Sequence, residues 1–356
     1  MKPLAGVRVV EFDGLGPVTL AGMILADLGA EILRLTRADG ASAFGDVGGA
    51  VLHRGRAAVP VDLKSPQDRA AVLDLITRAD AVIEGFRPGV MERLGLGPDV
   101  CQAANPRLVF GRVTGWGQTG PLADSVGHDI NYIALTGALH AMGEPDRPPR
   151  PPLNLVGDYG GGAVMLVTGV LAGVVEARRT GRGSVVDAAM TDGTSLLSSL
   201  FHALGASGLW SEERGSNLLD GGAPFYRCYA CADGRFVAVG ALEPRFYAAL
   251  LTGLEIDPGE APQFPPSGWP ALHRRFEAAF AQRSRGEWDD HFRGTEACVT
   301  PVLSFAEASR HPHNAARSTL AGDPVQPSPA PRFNAALGVP GPSTMMNLKV
   351  ASTLWR

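Results

Sequence analysis

The chain opens with Val7-Arg8-Val9-Val10-Glu11-Phe12-Asp13-Gly14-Leu15-Gly16-Pro17-Val18-Thr19. Val7 to Phe12 is a mostly apolar run after Gly6, with the length of a buried strand. A glycine-rich turn follows. Leu20 to Leu28 then carries apolar residues at helical spacing, and Gly29 is the residue type that often follows a helix end. Ile32-Leu33-Arg34-Leu35 reads as the next strand. Strand, helix and strand in this order predict a parallel β-α-β unit. Gly14 and Gly16 match half of a dinucleotide-binding fingerprint, but Thr19 stands where the third glycine belongs. Arg37 follows the second strand, where NAD binding would place an acid. It reads equally as a phosphate contact or as a solvated surface arginine.

The same alternation continues outward. Val59 to Leu63, Ala81 to Glu84, Leu108 to Val113 and Ser184 to Ala188 read as further strands. Ser65 and Pro66 have the chemistry of an N-cap and a first helical residue, and Asp68 suits the positive end of that helix. The pattern predicts an α/β fold, a Rossmann-like doubly wound parallel sheet with ligand contacts at the strand ends. This large domain is expected to span 1–204. Residues 205–224, rich in Gly, Ser and Asn, read as a linker. Strand alternation around the turn Ala232-Asp233-Gly234-Arg235 opens a smaller α+β domain, 225–320. The tail, 321–356, is expected to return over the large domain. Residues 143–158 carry five prolines and read as extended up to Asp158; a helix from Tyr159 to Arg178, apolar nearly all round, is expected in the core. Asp192 reads as a cap of the helix after the last strand.

At 356 residues the chain exceeds one ordinary core. A hydrophobic share of 45% and a charged share of 19% suit a globular enzyme and exclude a disordered chain. The net charge of −4 argues against nucleic acid as a partner, so an anionic ligand would be held by a local cluster of basic residues. The N-terminus lacks the basic and apolar pattern of a signal peptide. The longest apolar stretch, Ala163 to Val175, falls short of the ~20 residues of a spanning helix. A soluble, cytoplasmic protein with no membrane partner is the expectation. Cys228 and Cys231 form a Cys-x-x-Cys, but no second pair accompanies them, and the favoured reading is two thiols in a hairpin rather than zinc.

Two places could carry chemistry. His128 lies in Gly127-His128-Asp129-Ile130-Asn131-Tyr132, an imidazole beside a carboxylate in a loop. Its ordinary pKa near ~6.5 suits proton transfer at neutral pH. Asp158 lies in Gly157-Asp158-Tyr159-Gly160-Gly161-Gly162. A helix cap is the common task of an aspartate there. The surrounding glycines suggest in addition that a ligand carbonyl approaches backbone N–H groups at a helix start. Glu243, after the strand Phe236 to Val239, reads from its neighbours as a surface carboxylate at a helix start.

Further runs carry a resemblance. They are Val61-Asp62-Leu63-Lys64-Ser65, Ile83-Glu84-Gly85-Phe86-Arg87-Pro88-Gly89-Val90, Thr114 to Pro121, Gly127 to Tyr132, Asn154 to Gly162, Asp187 to Gly193, Gly221 to Pro224 and Cys298 to Val302. In this order they resemble the family III CoA-transferase and racemase superfamily, most of all its bacterial α-methylacyl-CoA racemases. The resemblance spans about Leu4 to Leu303. It implies an interlocked homodimer whose sites lie between the large domain of one subunit and the small domain of the other. It implies epimerisation of 2-methylacyl-CoA thioesters through an enolate, with His128 and Asp158 as the acid/base pair and Glu243 polarising His128. It further implies CoA contacts at Arg37, Val61, Asp62, Leu63, Lys64, Gly85, Phe86, Arg87 and Arg93, and along the backbone of Gly127, Asp129, Ile130, Asn131 and Tyr132. No metal or redox cofactor is implied; CoA is part of the substrate. The transferase branch instead uses the matching Asp158 as a nucleophile and generally lacks the histidine, so His128 favours the racemase. An NADP-dependent reductase and a non-catalytic CoA-binding protein rank below both. The stretch from Met345-Met346 to Trp355-Arg356 does not resemble the family's closing helix.

Overall fold

The computed structural model describes residues 2–40, 48–336 and 338–355. Contacts divide the chain into two compact units. The first comprises Met1–Ala138, Pro152–Ser199 and Pro312–Arg356; the second comprises Leu139–Pro151 and Leu200–His311.

The first unit holds, among the described residues, a seven-stranded sheet. Its strands are β1 (Arg8–Phe12), β2 (Glu31–Arg37), β3 (Ala57–Val61), β4 (Ala81–Glu84), β5 (Val109–Thr114), β6 (Val185–Ala189) and a two-residue edge strand, Thr344–Met345. Their spatial order is edge strand, β3, β2, β1, β4, β5, β6, and every pairing is parallel. The order reverses beside β1, as in a doubly wound sheet. Side chains alternate between two cores. Val9, Ile32, Ile83 and Val109 face one of them; Val10, Leu33, Val82 and Phe110 face the other. A parallel sheet covered on both faces is why these strands read as continuous apolar runs. Pro60 is tolerated in β3 because the edge strand pairs only with Ala57 and Ala58 and demands no donor further along.

The helices of this unit begin largely where their caps predict. Helix α1 is Pro17–Asp27, with Pro17 in its first turn, and Gly29 follows at φ 104. Helix α2 is Pro66–Ile76, and its cap Ser65 accepts the Asp68 N–H. Helix α3 is Asp129–Leu135. The central helix differs from expectation. It starts at Leu155 as a ten-residue π-helix to Val164 and continues as α4 (Met165–Thr180). Asp158 is therefore inside the first turn and is not the cap. At 26 residues and a mean hydropathy of 1.6 this helix is long and apolar enough to cross a membrane. Here Leu166, Val167, Val170 and Val174 bury it against the sheet. Helix α5 is Met190–Leu197, capped by Ala189 rather than by Asp192, which sits in its first turn. The tail also forms a helix where no closing helix was recognised, Leu348–Leu354. The side chain of Trp355 beyond it is buried in the second core, and its indole N–H donates to Glu31.

The second unit has an antiparallel sheet of β7 (Tyr226–Ala230), β8 (Phe236–Gly240) and β9 (Val299–Pro301), in that order. Helices α6 (Pro244–Gly253), α7 (Trp269–Phe280) and α8 (Arg285–Phe292) accompany it. Phe225, Tyr229, Tyr247, Trp269, Phe276 and Phe280 fill its core. Residues 139–151 group with this unit because Arg214 gathers them: its guanidinium donates to the carbonyls of His140, Glu144 and Arg147. Cys228 lies in the β7–β8 hairpin and Cys231 at its turn, both as free thiols.

Candidate active site

The turns after β1 and β5 meet the first turn of the π-helix and the start of α3: Gly16 stands against Asp158, and Gly115 against Tyr132. His128 is the N-cap of α3, with extended backbone (φ −132, ψ 175). Its N–H donates to Asn131 Oδ1 at 3.0 Å, which fixes the chain direction and leaves the imidazole exposed. The next side chain turns the other way. Asp129 is 7% exposed, and its Oδ2 accepts the backbone N–H of Asp158 at 2.7 Å. Asn154 Nδ2 donates to Asp158 Oδ2 at 3.3 Å. One helix start thus presents the imidazole outward and grips the aspartate-bearing turn inward.

The π-helix explains how Asn154 and Asp158 meet. Tyr159 N–H reaches back to the Asn154 carbonyl, five residues earlier, so the helix is already wound at Asn154 and a partner four residues before Asp158 lies on its face. Burial pushes the Asp158 carboxyl above the usual carboxylate range. The Asn154 hydrogen bond opposes this, the charge of Asp129 adds to it, and His128 opposes it.

The glycines have a different task from the one read in the sequence. A side chain on Gly193 would collide with the Gly161 backbone, one on Gly161 would come within 2.9 Å of the Met190 carbonyl, and one on Gly162 within 3.1 Å of Pro17. They let the π-helix approach α5 backbone to backbone and seat it against Pro17 of α1, so close helix packing is a task of these glycines that the sequence reading did not foresee. Gly157 leaves room for the Asp129 carboxylate, which a Cβ there would meet at 2.6 Å. Gly115 leaves room for Tyr132, whose hydroxyl donates to the Gly127 carbonyl and whose ring meets Trp116 edge-on at 4.8 Å.

The residues expected to contact CoA gather at this end of the sheet. Arg37 closes β2 in register with Val61 at the end of β3, and it pairs with Asp39 at 2.8 Å in full exposure. The following loop is stapled: Asp68 accepts the Asp62 N–H, and Arg69 donates to the carbonyls of Leu63 and Lys64. Gly85, Phe86 and Arg87 follow β4, where Glu84 accepts the Phe86 N–H at 2.6 Å and Phe86 packs edge-on against Phe12. Glu84 is itself held by buried Arg112, which also binds Glu92 beside Arg93. Val61, Asp129 and Tyr132 are buried, so they can offer a ligand only backbone; Ile130 and Asn131 are exposed. Glu243 belongs to the second unit. It is the N-cap of α6, without a side-chain capping bond, and its charge helps push up the Cys298 thiol after the larger effect of burial. That Asn154 and Gly16 stand beside Asp158 escaped the sequence reading, which had Gly16 only in a half fingerprint and Asn154 only in a resemblance run. The proline-rich run before Asp158 hid the helical register that would have exposed Asn154.

The parallel sheet with its cluster of proton-carrying groups at the strand ends places the chain among α/β enzymes. Residues 4–340 match CoA-transferase family III, and the chain belongs to that family. It is 45% identical to α-methylacyl-CoA racemase of Mus musculus over 341 residues, 95% of this chain and 88% of the relative. Identity to α-methylacyl-CoA racemase of Homo sapiens is 43% over 332 residues, 92% of this chain and 86% of the relative. The family also includes CoA-transferases: acetyl-CoA:oxalate CoA-transferase of Acetobacter aceti is 31% identical over 336 residues, 89% of this chain and 85% of the relative. The crystal structure of Rv3272 from M. tuberculosis superimposes with a TM-score of 0.80 at 26% identity, covering 97% of each chain.

Proposed function

We propose that this protein is an isomerase that epimerises 2-methylacyl-CoA thioesters, with His128 and Asp158 as acid and base. The observation that carries the reading is their juxtaposition. His128 caps the helix whose next residue holds the Asp158 backbone, so an imidazole and a protonatable carboxyl share one end of the sheet. The substrate class is supported by the racemases at 43–45% identity.

A thioester acidifies the C–H beside its carbonyl. One group removes that proton while the carbonyl oxygen gains charge. Asn131 N–H is taken by the His128 carbonyl, which leaves the first-turn N–H groups of Asp129 and Ile130 as donors available to it. The other group, protonated, returns a proton to the opposite face. Burial suits Asp158 to the task, because a carboxyl that must hold a proton in one direction and release it in the other works best with its pKa moved toward neutrality. Arg37, Lys64, Arg87 and Arg93 supply positive charge for the CoA phosphates, with Val61 to Leu63, Gly85, Phe86 and the backbone from Gly127 to Tyr132 along its length. CoA enters with the substrate, and the reaction calls for no metal or redox cofactor. Glu243 polarises His128 from the second subunit of a homodimer. Exposed apolar side chains on the π-helix and α5, Leu155, Val164, Leu196 and Leu197, support such an interface. Free cysteines fit a reducing, cytoplasmic setting.

Incubation of one epimer in heavy water tests this: deuterium enters the α-carbon without an acceptor acid. The transferase relative keeps a second reading in view, CoA transfer through Asp158 as nucleophile. That reaction needs an acceptor acid and leaves an acyl-enzyme that hydroxylamine traps. Trapping without α-exchange rejects the racemase.

A further inference from the structure

Asp129 was expected to offer CoA its backbone; its side chain is buried against the Asp158 backbone. We propose that Asp129 is a positioning residue of this site: its carboxylate fixes the Asp158 backbone from beneath and stands as a like charge beside the proton-carrying carboxyl. This deepens the proton-relay reading and rests on it.

Three observations converge. Asp129 Oδ2 accepts the Asp158 N–H at 2.7 Å. Gly157 is cut away beneath it, since a Cβ there would lie 2.6 Å from the same oxygen. Asp129 Oδ1 is buried and has no hydrogen-bond partner among the described residues. An asparagine Oδ1 could also accept the Asp158 N–H, but more weakly than a charged carboxylate oxygen, and its Nδ2 would bury two unmet donors where Oδ1 now lies. The carboxylate therefore gives the stronger grip on the Asp158 backbone and brings a negative charge beside the second carboxyl. That charge acts on Asp158 in the direction that keeps its carboxyl protonated longer as pH rises.

Among the described residues, the ionisable groups that act on Asp158 come from α3: Asp129, His128 and Tyr132. Gly16, in the loop before α1, faces Asp158, while Pro17 of α1 and Met190, Gly193 and Thr194 of α5 pack on the glycines that follow it; none of these is ionisable. On β5 and β6, Arg112 is engaged with Glu84 and Glu92, and Asp187 with the Gln118 N–H.

The test compares Asp129→Asn and Asp129→Ala in the full chain by α-deuterium exchange across pH, with 2-methylacyl-CoA as probe. Asp129→Asn is expected to keep KM and to fold with a somewhat lower melting temperature, because its buried amide donors go unmet, while the pH limb belonging to Asp158 moves to lower pH. Asp129→Ala is expected to lower kcat by about 10- to 100-fold with little change in KM, the scale of losing an orienting partner. A limb that stays in place in Asp129→Asn overturns the proposal. So does a loss confined to KM, which would mark a ligand contact. A readout independent of turnover is the 13C-carboxyl resonance of Asp158, assigned with Asp158→Asn. Its titration moves to lower pH in Asp129→Asn, or the proposal fails. Absence of exchange in the wild-type protein would sink the epimerase reading alone.

Discussion

A Cβ on Gly16 would stand 3.2 Å from Asp158 Oδ2, so the turn after β1 and the proton-carrying carboxyl are built against each other. Gly16 also has φ +68 and ψ −122, a region that side chains disfavour. The relationship ties half of an apparent nucleotide fingerprint to the carboxyl proposed as an acid/base group. Gly16→Ala is expected to lower stability by about 1–3 kcal/mol through backbone strain. It should also reduce kcat more than the lost stability explains, because the carboxyl must shift. Urea unfolding and α-exchange on the same preparation measure both. Unchanged turnover in a folded variant would contradict the contact.

Asn154 should act on Asp158 in the sense opposite to Asp129. Its hydrogen bond favours the ionised carboxyl. Asn154→Ala is expected to move the Asp158 limb of the pH–rate profile to higher pH and to lower kcat about 10-fold. A shift to lower pH would mean that the 3.3 Å contact is not made in solution.

Asp158 should also be a burden on the fold. Its carboxyl pKa is raised in the native protein, chiefly by burial, above its ordinary 3.8. The native state therefore binds the proton more tightly than the unfolded chain does. Stability linked to this group is fully present below the ordinary pKa and is lost as pH rises through the raised one. Asp158→Asn, which cannot ionise, should melt higher than wild type near pH 7. The advantage should shrink as pH falls toward the ordinary carboxylate range. Melting temperatures across pH show this directly, and an advantage that grew on acidification would reverse the assignment.

If each site draws His128 and Asp158 from one subunit and Glu243 from the other, two dead proteins can repair each other. His128→Ala and Glu243→Ala homodimers should both be poorly active. Co-expressed, they form mixed dimers with one intact site, and about a quarter of wild-type sites return on random pairing. No recovery, with mixed dimers demonstrated by mass, would place all three residues in one subunit.

The local grammar of this chain was legible because it rests on near-neighbour forces. The apolar strands alternating with helices, the Ser65-Pro66 start and Gly29 after α1 each follow from a few adjacent residues, and the doubly wound sheet follows from their order. His128 and Asp158 stood out as chemical types in glycine-rich surroundings. What surrounds them was not legible. The proline-rich run masked a helix that begins at Leu155 with π winding, so the Asn154 contact had no visible register. The glycine run read as a ligand cradle, and its helix-packing task appears only with the arrival of α5 and α1. Asp129 read as a backbone ligand contact, and the burial of its side chain under Asp158, 29 residues on, was not visible. Sequence alone determined which groups can carry protons, because that is a property of single side chains. Tertiary structure decided that the Asp129 carboxylate is buried against the backbone of Asp158, because burial and charge pairing arise only when distant segments meet.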